Sequence, residues 1–202
     1  WTSRPDGWSP EILFQEGKSK SHYAEMFRVL RTSISLLGPV DKRKITLITS
    51  ALPAEGKTLV AVNLAVAMAQ QGLRTLLIDF DLRKPSVHKM FGVTKDDRPG
   101  LAELLVGTAK PSEVVHTETG QPNLSLILVG NIPPNPGELL ESSRLDEWLK
   151  KFREEFDHII MDTAPLLPVP DTRILAPLAD NRCLIVRAES TPRGAVNRAV
   201  ST

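Results

Sequence analysis

The stretch Ile45-Thr46-Leu47-Ile48-Thr49-Ser50-Ala51-Leu52-Pro53-Ala54-Glu55-Gly56-Lys57-Thr58 decides the fold. Ile45–Thr49 is a short apolar and β-branched run that reads as a strand buried on both faces. A tight loop follows, and Gly56-Lys57-Thr58 opens a helical run, Leu59–Gln71, that stops at Gly72. In such an arrangement the backbone N–H groups of the loop and of the helix N-terminus converge on one point and hold phosphate oxygens. Lys57 adds positive charge toward the β- and γ-phosphates, and the Thr58 hydroxyl can ligate Mg²⁺. The usual pattern, G-x-x-x-x-G-K-[ST], begins with glycine where this chain has Ala51. A chance Gly-Lys-Thr at a helix start is the plainer reading, and the rest of the chain argues against it.

Four further runs read as strands of the same buried kind: Thr75–Phe80, Leu124–Val129, His158–Asp162 and Cys183–Arg187. Helical patterns lie among them. Leu101–Val106 stops at Gly107, and Ser143–Phe156 starts at a serine cap with Leu145, Trp148, Leu149 and Phe152 on one face. Arg173–Leu178 is a shorter helical stretch. Upstream, Met26, Phe27, Leu30, Ile34 and Leu37 predict an amphipathic helix from Ser21, ended by Gly38-Pro39. Alternating strands and helices imply parallel strands joined by right-handed crossovers. The fold class is therefore α/β, a three-layer α/β/α sandwich with a mainly parallel central sheet. Residues 1–20 lack periodicity and read as an arm or linker, with one domain over 21–202; the proline-rich Pro133–Gly137 is a rigid loop within it.

Composition sets limits. The chain has 202 residues, 41 % of them apolar, and its 25 Lys+Arg against 24 Asp+Glu leave a net charge of +1. That excludes a disordered chain and gives no electrostatic case for a nucleic-acid partner. Cys183 is the only cysteine, which excludes an intrachain disulfide and a Cys-rich zinc site and fits a reducing cytoplasm. It is expected to pack as a small hydrophobe. No apolar stretch approaches the ~20 residues of a membrane span, and no secretory signal core opens the chain. His22, His88, His116 and His158 lack metal-binding spacing.

Three aspartates end two of the strands. Leu76-Leu77-Ile78 leads into Asp79-Phe80-Asp81-Leu82-Arg83, and Ile159-Ile160-Met161 into Asp162-Thr163-Ala164-Pro165. Each aspartate alone could be a cap or a turn residue. Ligand sites of open α/β sheets lie outside the carboxyl ends of the strands, so the three converge on the phosphate loop. Mg²⁺ takes oxygen ligands and commonly bridges one or two carboxylates to substrate phosphates. A Mg²⁺–nucleotide site follows, and clustered carboxylates there can also orient a hydroxyl or accept its proton.

Together these segments resemble the bacterial tyrosine kinases of capsule and exopolysaccharide synthesis. Ala51–Thr58 matches the family's Walker A loop, and Leu76–Arg83 its Walker A′ pattern of apolar residues then D-x-D-x-R. Ile159–Pro165 matches its Walker B pattern, and Glu25, Arg28 and Arg31 its oligomerisation motif E-x-x-R-x-x-R. The resemblance implies a P-loop NTPase-like fold and transfer of the ATP γ-phosphoryl group to tyrosine. It assigns catalysis to Lys57, Asp79, Asp81 and Asp162, with Asp79 orienting or deprotonating the tyrosine hydroxyl. Nucleotide would lie on Pro53, Ala54, Glu55, Gly56, Lys57, Thr58 and Leu59, and Mg²⁺ on Thr58, Asp81 and Asp162. It further implies a ring-like homo-oligomer whose subunits take a neighbour's tyrosine-rich tail. A membrane adaptor, fused or separate, would hold it at the inner face of the bacterial plasma membrane. Glu25, Arg28 and Arg31 would otherwise be a solvated charged stripe.

Ala54 stands where many relatives have glycine, Tyr23 is the only tyrosine, and Ser86 matches a position where some relatives carry a regulatory tyrosine. Ser190–Thr202 reads as the start of a helix, and a final strand and tail are expected beyond it, so the chain reads as a cytoplasmic piece of a longer protein. Two alternatives stand beside the kinase: a partition-type P-loop ATPase, which would carry a second lysine where this chain has Leu52, and a nucleotide-dependent assembly switch without tyrosine kinase activity.

Overall fold

The computed structural model describes residues 22–93 and 98–202; the arm, with Trp1 and Trp8, lies outside them. Six strands form one sheet: β1 Ile45–Ser50, β2 Thr75–Asp79, β3 Val115–His116, β4 Leu124–Ile127, β5 His158–Asp162 and β6 Asn181–Ile185. Their order is β3-β4-β2-β5-β1-β6, parallel except for β3, which pairs antiparallel to β4. Four of the five expected strands are buried along their whole length, because helices cover both faces. The expectation fails for β6, an edge strand whose residues are half-buried or exposed, and β3 is too short to leave a pattern in the sequence.

Alternate residues of each strand feed two cores. Ile48, Leu77, Leu126 and Ile160 face α1 (His22–Ser35), α2 (Lys57–Ala69) and α3 (Val87–Met90). Leu47, Leu76, Ile78, Ile159 and Met161 face the other layer. That layer holds α4 (Leu101–Val106), α5 (Pro111–Val114), α6 (Pro136–Leu140), α7 (Ser143–Glu155) and α8 (Asp171–Leu175). α2 lies between the sheet and α1 and is apolar nearly all round, as a wholly enclosed helix must be. Cys183 packs against this core, and burial raises its thiol pKa.

Two local expectations need correction. α1 buries Ala24, Phe27 and Ile34, whereas Met26 and Leu37 are 57 % and 62 % exposed, since the helix ends at Ser35 and Met26 points off the buried stripe. α7 is preceded by Ser142, whose hydroxyl makes no capping bond and is buried without a hydrogen-bond partner. Trp148 is half-buried, stacked 6.2 Å from Phe152 with the Lys151 ammonium 4.2 Å from its ring centre. The terminal helical stretch forms α9, Arg193–Val200, whose Ala195 and Ala199 pack near Ala51 at the phosphate loop.

Candidate active site

β1, β5 and β2 lie side by side, so their carboxyl ends bring the phosphate loop, Asp162 and Asp79 together. Asp79 and Asp162 are register partners at the ends of adjacent strands, and Ile48 pairs with Asp162 on the other side. The loop turns into α2 through Gly56, which has φ +93°, a left-handed conformation that glycine adopts without steric cost. Ala54 also has φ +63°, where a Cβ is strained. The helix begins at Lys57, two residues earlier than the apolar run suggests, so Lys57 and Thr58 sit in its first turn.

A cleft of about 510 Å³ opens here, lined by Pro53, Ala54, Gly56, Lys57, Thr58 and Leu59 on one side. Asp81, Arg83, Lys84 and Ser86 form a second wall, and Ala164, Pro165, Pro168 and Val169 a third. Of the seven residues predicted to hold nucleotide, Glu55 alone is not on the wall. Its side chain turns inward, accepting the Leu52 N–H at 2.9 Å and a hydrogen bond from the Thr191 hydroxyl, and so ties the loop to the segment before α9.

The carboxylates differ in what they do. Asp81 faces the cleft, with Oδ2 3.0 Å from Lys57 Nζ and Oδ1 accepting the Lys84 N–H at 2.9 Å. Asp79 lies beneath, fully buried, and accepts the backbone N–H groups of Asp81, Ser86 and Val87 at 3.1 Å each. Burial, then the neighbouring Asp162 charge, pushes its pKa up to about 8. Asp162 is raised to about 6 by burial, against the pull of Lys57. Burial works against the Lys57 charge as well, but Asp162 and Asp81 outweigh it and hold that pKa above the ordinary lysine value.

Neither buried Asp162 oxygen has a close hydrogen-bond partner; Lys57 lies 3.8 Å away, and the Thr58 hydroxyl nearby helps to favour the charged form. Orphaned carboxylate oxygens beside Asp81 and the Thr58 hydroxyl suit a divalent cation that completes its shell with phosphates and water. Among the described residues no three His, Cys, Asp or Glu side chains form an all-protein cage.

Sequence reasoning missed three partners. Arg83 holds the fully buried Asp171 of α8 through two bonds, Nε to Oδ2 at 2.8 Å and Nη2 to Oδ1 at 2.9 Å. Ser86 Oγ lies 2.9 Å from Thr58 Oγ1, and Thr191 meets Glu55. Contacts 28, 88 and 136 residues apart leave no local signal. The predicted oligomerisation residues lie on α1, away from the cleft wall. Glu25 and Arg28 pair at 2.8 Å, and Arg31 donates to the Ala67 carbonyl of α2 at 3.0 Å.

A phosphate loop with Asp81 on the cleft wall and Asp79 and Asp162 buried beside it defines a P-loop nucleotide-binding domain. Comparison with known proteins agrees: an AAA domain family model matches residues 53–191. Tyrosine-protein kinase YwqD of Bacillus subtilis is 39 % identical over 178 residues, 86 % of this chain and 72 % of that protein. The structure of the chimerical protein CapA2B2 superposes with a TM-score of 0.86 at 30 % identity, covering 96 % of this chain and 84 % of that one. The kinase domain of the Escherichia coli tyrosine kinase ETK superposes with a TM-score of 0.81 at 32 % identity, covering 88 % and 68 %. The chain belongs to the bacterial tyrosine-protein kinase family.

Proposed function

We propose that this domain transfers the γ-phosphoryl group of ATP to tyrosine hydroxyls, as a regulator of capsule or exopolysaccharide synthesis and export. The observation that carries the reading is the meeting of Lys57, Thr58, Asp81 and the orphaned Asp162 at one corner of a cleft floored by the phosphate loop. The loop residues Pro53–Leu59 hold the phosphates through N–H groups and the helix N-terminus. Lys57 leaves Asp81 and Asp162 for the β/γ-phosphates. Thr58, Asp81 and Asp162 hold Mg²⁺, directly or through water. The metal supplies neutralisation of the charge that spreads over the transferred phosphoryl.

Asp79 takes the tyrosine proton. Its raised pKa, near 8, makes its ionised form a stronger base than an ordinary carboxylate, and the N–H groups of Asp81, Ser86 and Val87 hold it in place. Positioning and charge neutralisation then do most of the catalysis.

The assembly belongs to the same reading. A ring-like homo-oligomer would join through the Glu25, Arg28 and Arg31 face of α1, where Met26 and Val29 are 57 % and 59 % exposed beside the charges. Each subunit would receive a neighbour's tyrosine-rich tail. A membrane adaptor would hold the ring at the cytoplasmic face of the plasma membrane. Among the described residues no helix is long and apolar enough to cross a membrane.

Size-exclusion chromatography with and without Mg·ATP, read beside phosphotyrosine detection on a tyrosine-rich acceptor peptide, tests the reading. Phosphotyrosine on the peptide is expected. Nucleotide-dependent association without phosphotyrosine, with the adaptor's cytoplasmic segment supplied, would replace the kinase by an assembly switch.

A further inference from the structure

We infer that Thr191 is a positioning residue for the nucleotide phosphates: through Glu55 it locks the phosphate loop to the segment between β6 and α9, and the loop's grip on phosphate depends on that lock. The inference rests on the phosphate-loop reading of this cleft and adds to it a residue that stands outside the loop and its motif. Glu55 directly precedes Gly56 and Lys57, yet its side chain is buried and stands off the cleft wall. A carboxylate offers only acceptor oxygens, and each of these two holds one donor. Oε2 accepts the Leu52 N–H at 2.9 Å, which closes the loop on itself. Oε1 accepts the Thr191 hydroxyl, which fastens the loop to a residue 136 positions away. Thr191 is itself held by its own turn: its oxygen accepts the Arg187 N–H at 3.0 Å, and its N–H donates to the Arg187 carbonyl at 3.0 Å.

The loop needs such an anchor. Glu55 stands between Ala54 at φ +63° and Gly56 at φ +93°. A residue with a Cβ keeps a left-handed conformation only where the surrounding structure over-determines it. The loop's N–H groups converge on phosphate in that one conformation. Beside the bond, Ala51 packs with Ala195 and Ala199 of α9, so polar and apolar contacts join the same two segments. A loop released from Thr191 must be ordered when nucleotide arrives, and that cost lowers affinity. The coupling is reciprocal: nucleotide that orders the loop also holds α9 more tightly. A bond that served only to fasten α9 to the domain would change stability and leave affinity alone.

The test uses ADP with Mg²⁺ and the full chain, comparing wild type, Thr191→Val and Thr191→Ser by titration calorimetry. Hydrogen exchange across α9, with and without ADP, is read by mass spectrometry. Thr191→Val is expected to bind ADP about threefold to tenfold more weakly, the range one hydrogen bond supplies. Thr191→Ser, which keeps the hydroxyl, should bind as wild type does. In a Glu55→Ala background, Thr191→Val should have no further effect on ADP affinity. ADP should slow exchange across α9 in wild type and in Thr191→Ser, and much less in Thr191→Val. Wild-type affinity in Thr191→Val would overturn the inference, even with a lowered melting temperature, as would an undiminished loss in the Glu55→Ala background. Wild type that itself fails to bind ADP would bring down the phosphate-loop reading, and this inference with it.

Discussion

Lys57 Nζ lies 3.0 Å from Asp81 Oδ2, which sets an ammonium among the carboxylates at the ends of β2 and β5. The lysine therefore has two sets of partners, the carboxylates and the phosphates of a bound nucleotide. Lys57→Met removes the phosphate contact and leaves Asp81 and Asp162 without their cation. A charge-assisted bond is worth about 1.5–3 kcal/mol. Nucleotide affinity, measured by fluorescent-nucleotide titration, is expected to fall by roughly tenfold to a hundredfold. An unchanged affinity would place the phosphates elsewhere.

Asp79 makes stability depend on pH. A carboxyl whose folded pKa is raised keeps a proton that the unfolded chain has released, so stability falls as pH rises toward the folded value. That value is about 8 for Asp79 and about 6 for Asp162. His158 works the other way. Burial lowers its pKa from 6.5, so its contribution improves as pH rises to about 7. Between about pH 7 and about pH 8 the Asp79 slope stands clear of both. Protein prepared without nucleotide or Mg²⁺ should lose thermal stability across that interval, and Asp79→Asn should be flat. A wild-type melting temperature that climbs over the interval would contradict the assignment.

Ala54 holds φ +63° in the phosphate loop. The left-handed conformation costs a residue with a Cβ about 1–2 kcal/mol, partly offset because glycine gives the unfolded chain more freedom. Ala54→Gly is expected to stabilise by about 0.5 kcal/mol, a rise of about 1–2 °C in melting temperature for a domain of this size. A fall in calorimetric melting temperature would show that the loop is not strained there.

Arg83 is 40 % exposed at its side chain, while the Asp171 it grips is wholly buried. Solvent screens part of the attraction, yet Arg83→Ala strands a buried carboxylate, at a cost of about 2 kcal/mol. Chemical denaturation should report that loss, and Arg83→Lys should recover little of it because an ammonium cannot make the two-pronged contact. Full recovery by lysine would show that charge alone matters at this position.

Much of this architecture is readable from the chain because buried parallel strands are uninterrupted apolar runs, and motif residues cluster at their ends. Thr75–Asp79 and His158–Asp162 show their ends by the aspartates themselves. The two-residue β3 has no period to detect, and Met26 fits a helical pattern although its direction around α1 takes it into solvent. The site was legible in its charges but not in its division of labour. Asp79 and Asp81 share a motif, yet β2 ends at Asp79, and one carboxylate lies buried beneath the loop while the other stands on the cleft wall. Arg83–Asp171 and Thr58–Ser86 are made by tertiary proximity alone.

The most direct measurement is phosphotyrosine by mass spectrometry after incubation with Mg·ATP and a tyrosine-rich acceptor peptide. The adaptor's cytoplasmic segment should be present, with Lys57→Met and Asp79→Asn run in parallel and nucleotide binding measured for all three proteins. The result expected is phosphate on acceptor tyrosine that disappears in both variants, with nucleotide still bound by Asp79→Asn. Tight Mg·ATP binding by the wild type with no phosphate on any tyrosine would contradict a tyrosine kinase centred on this cleft.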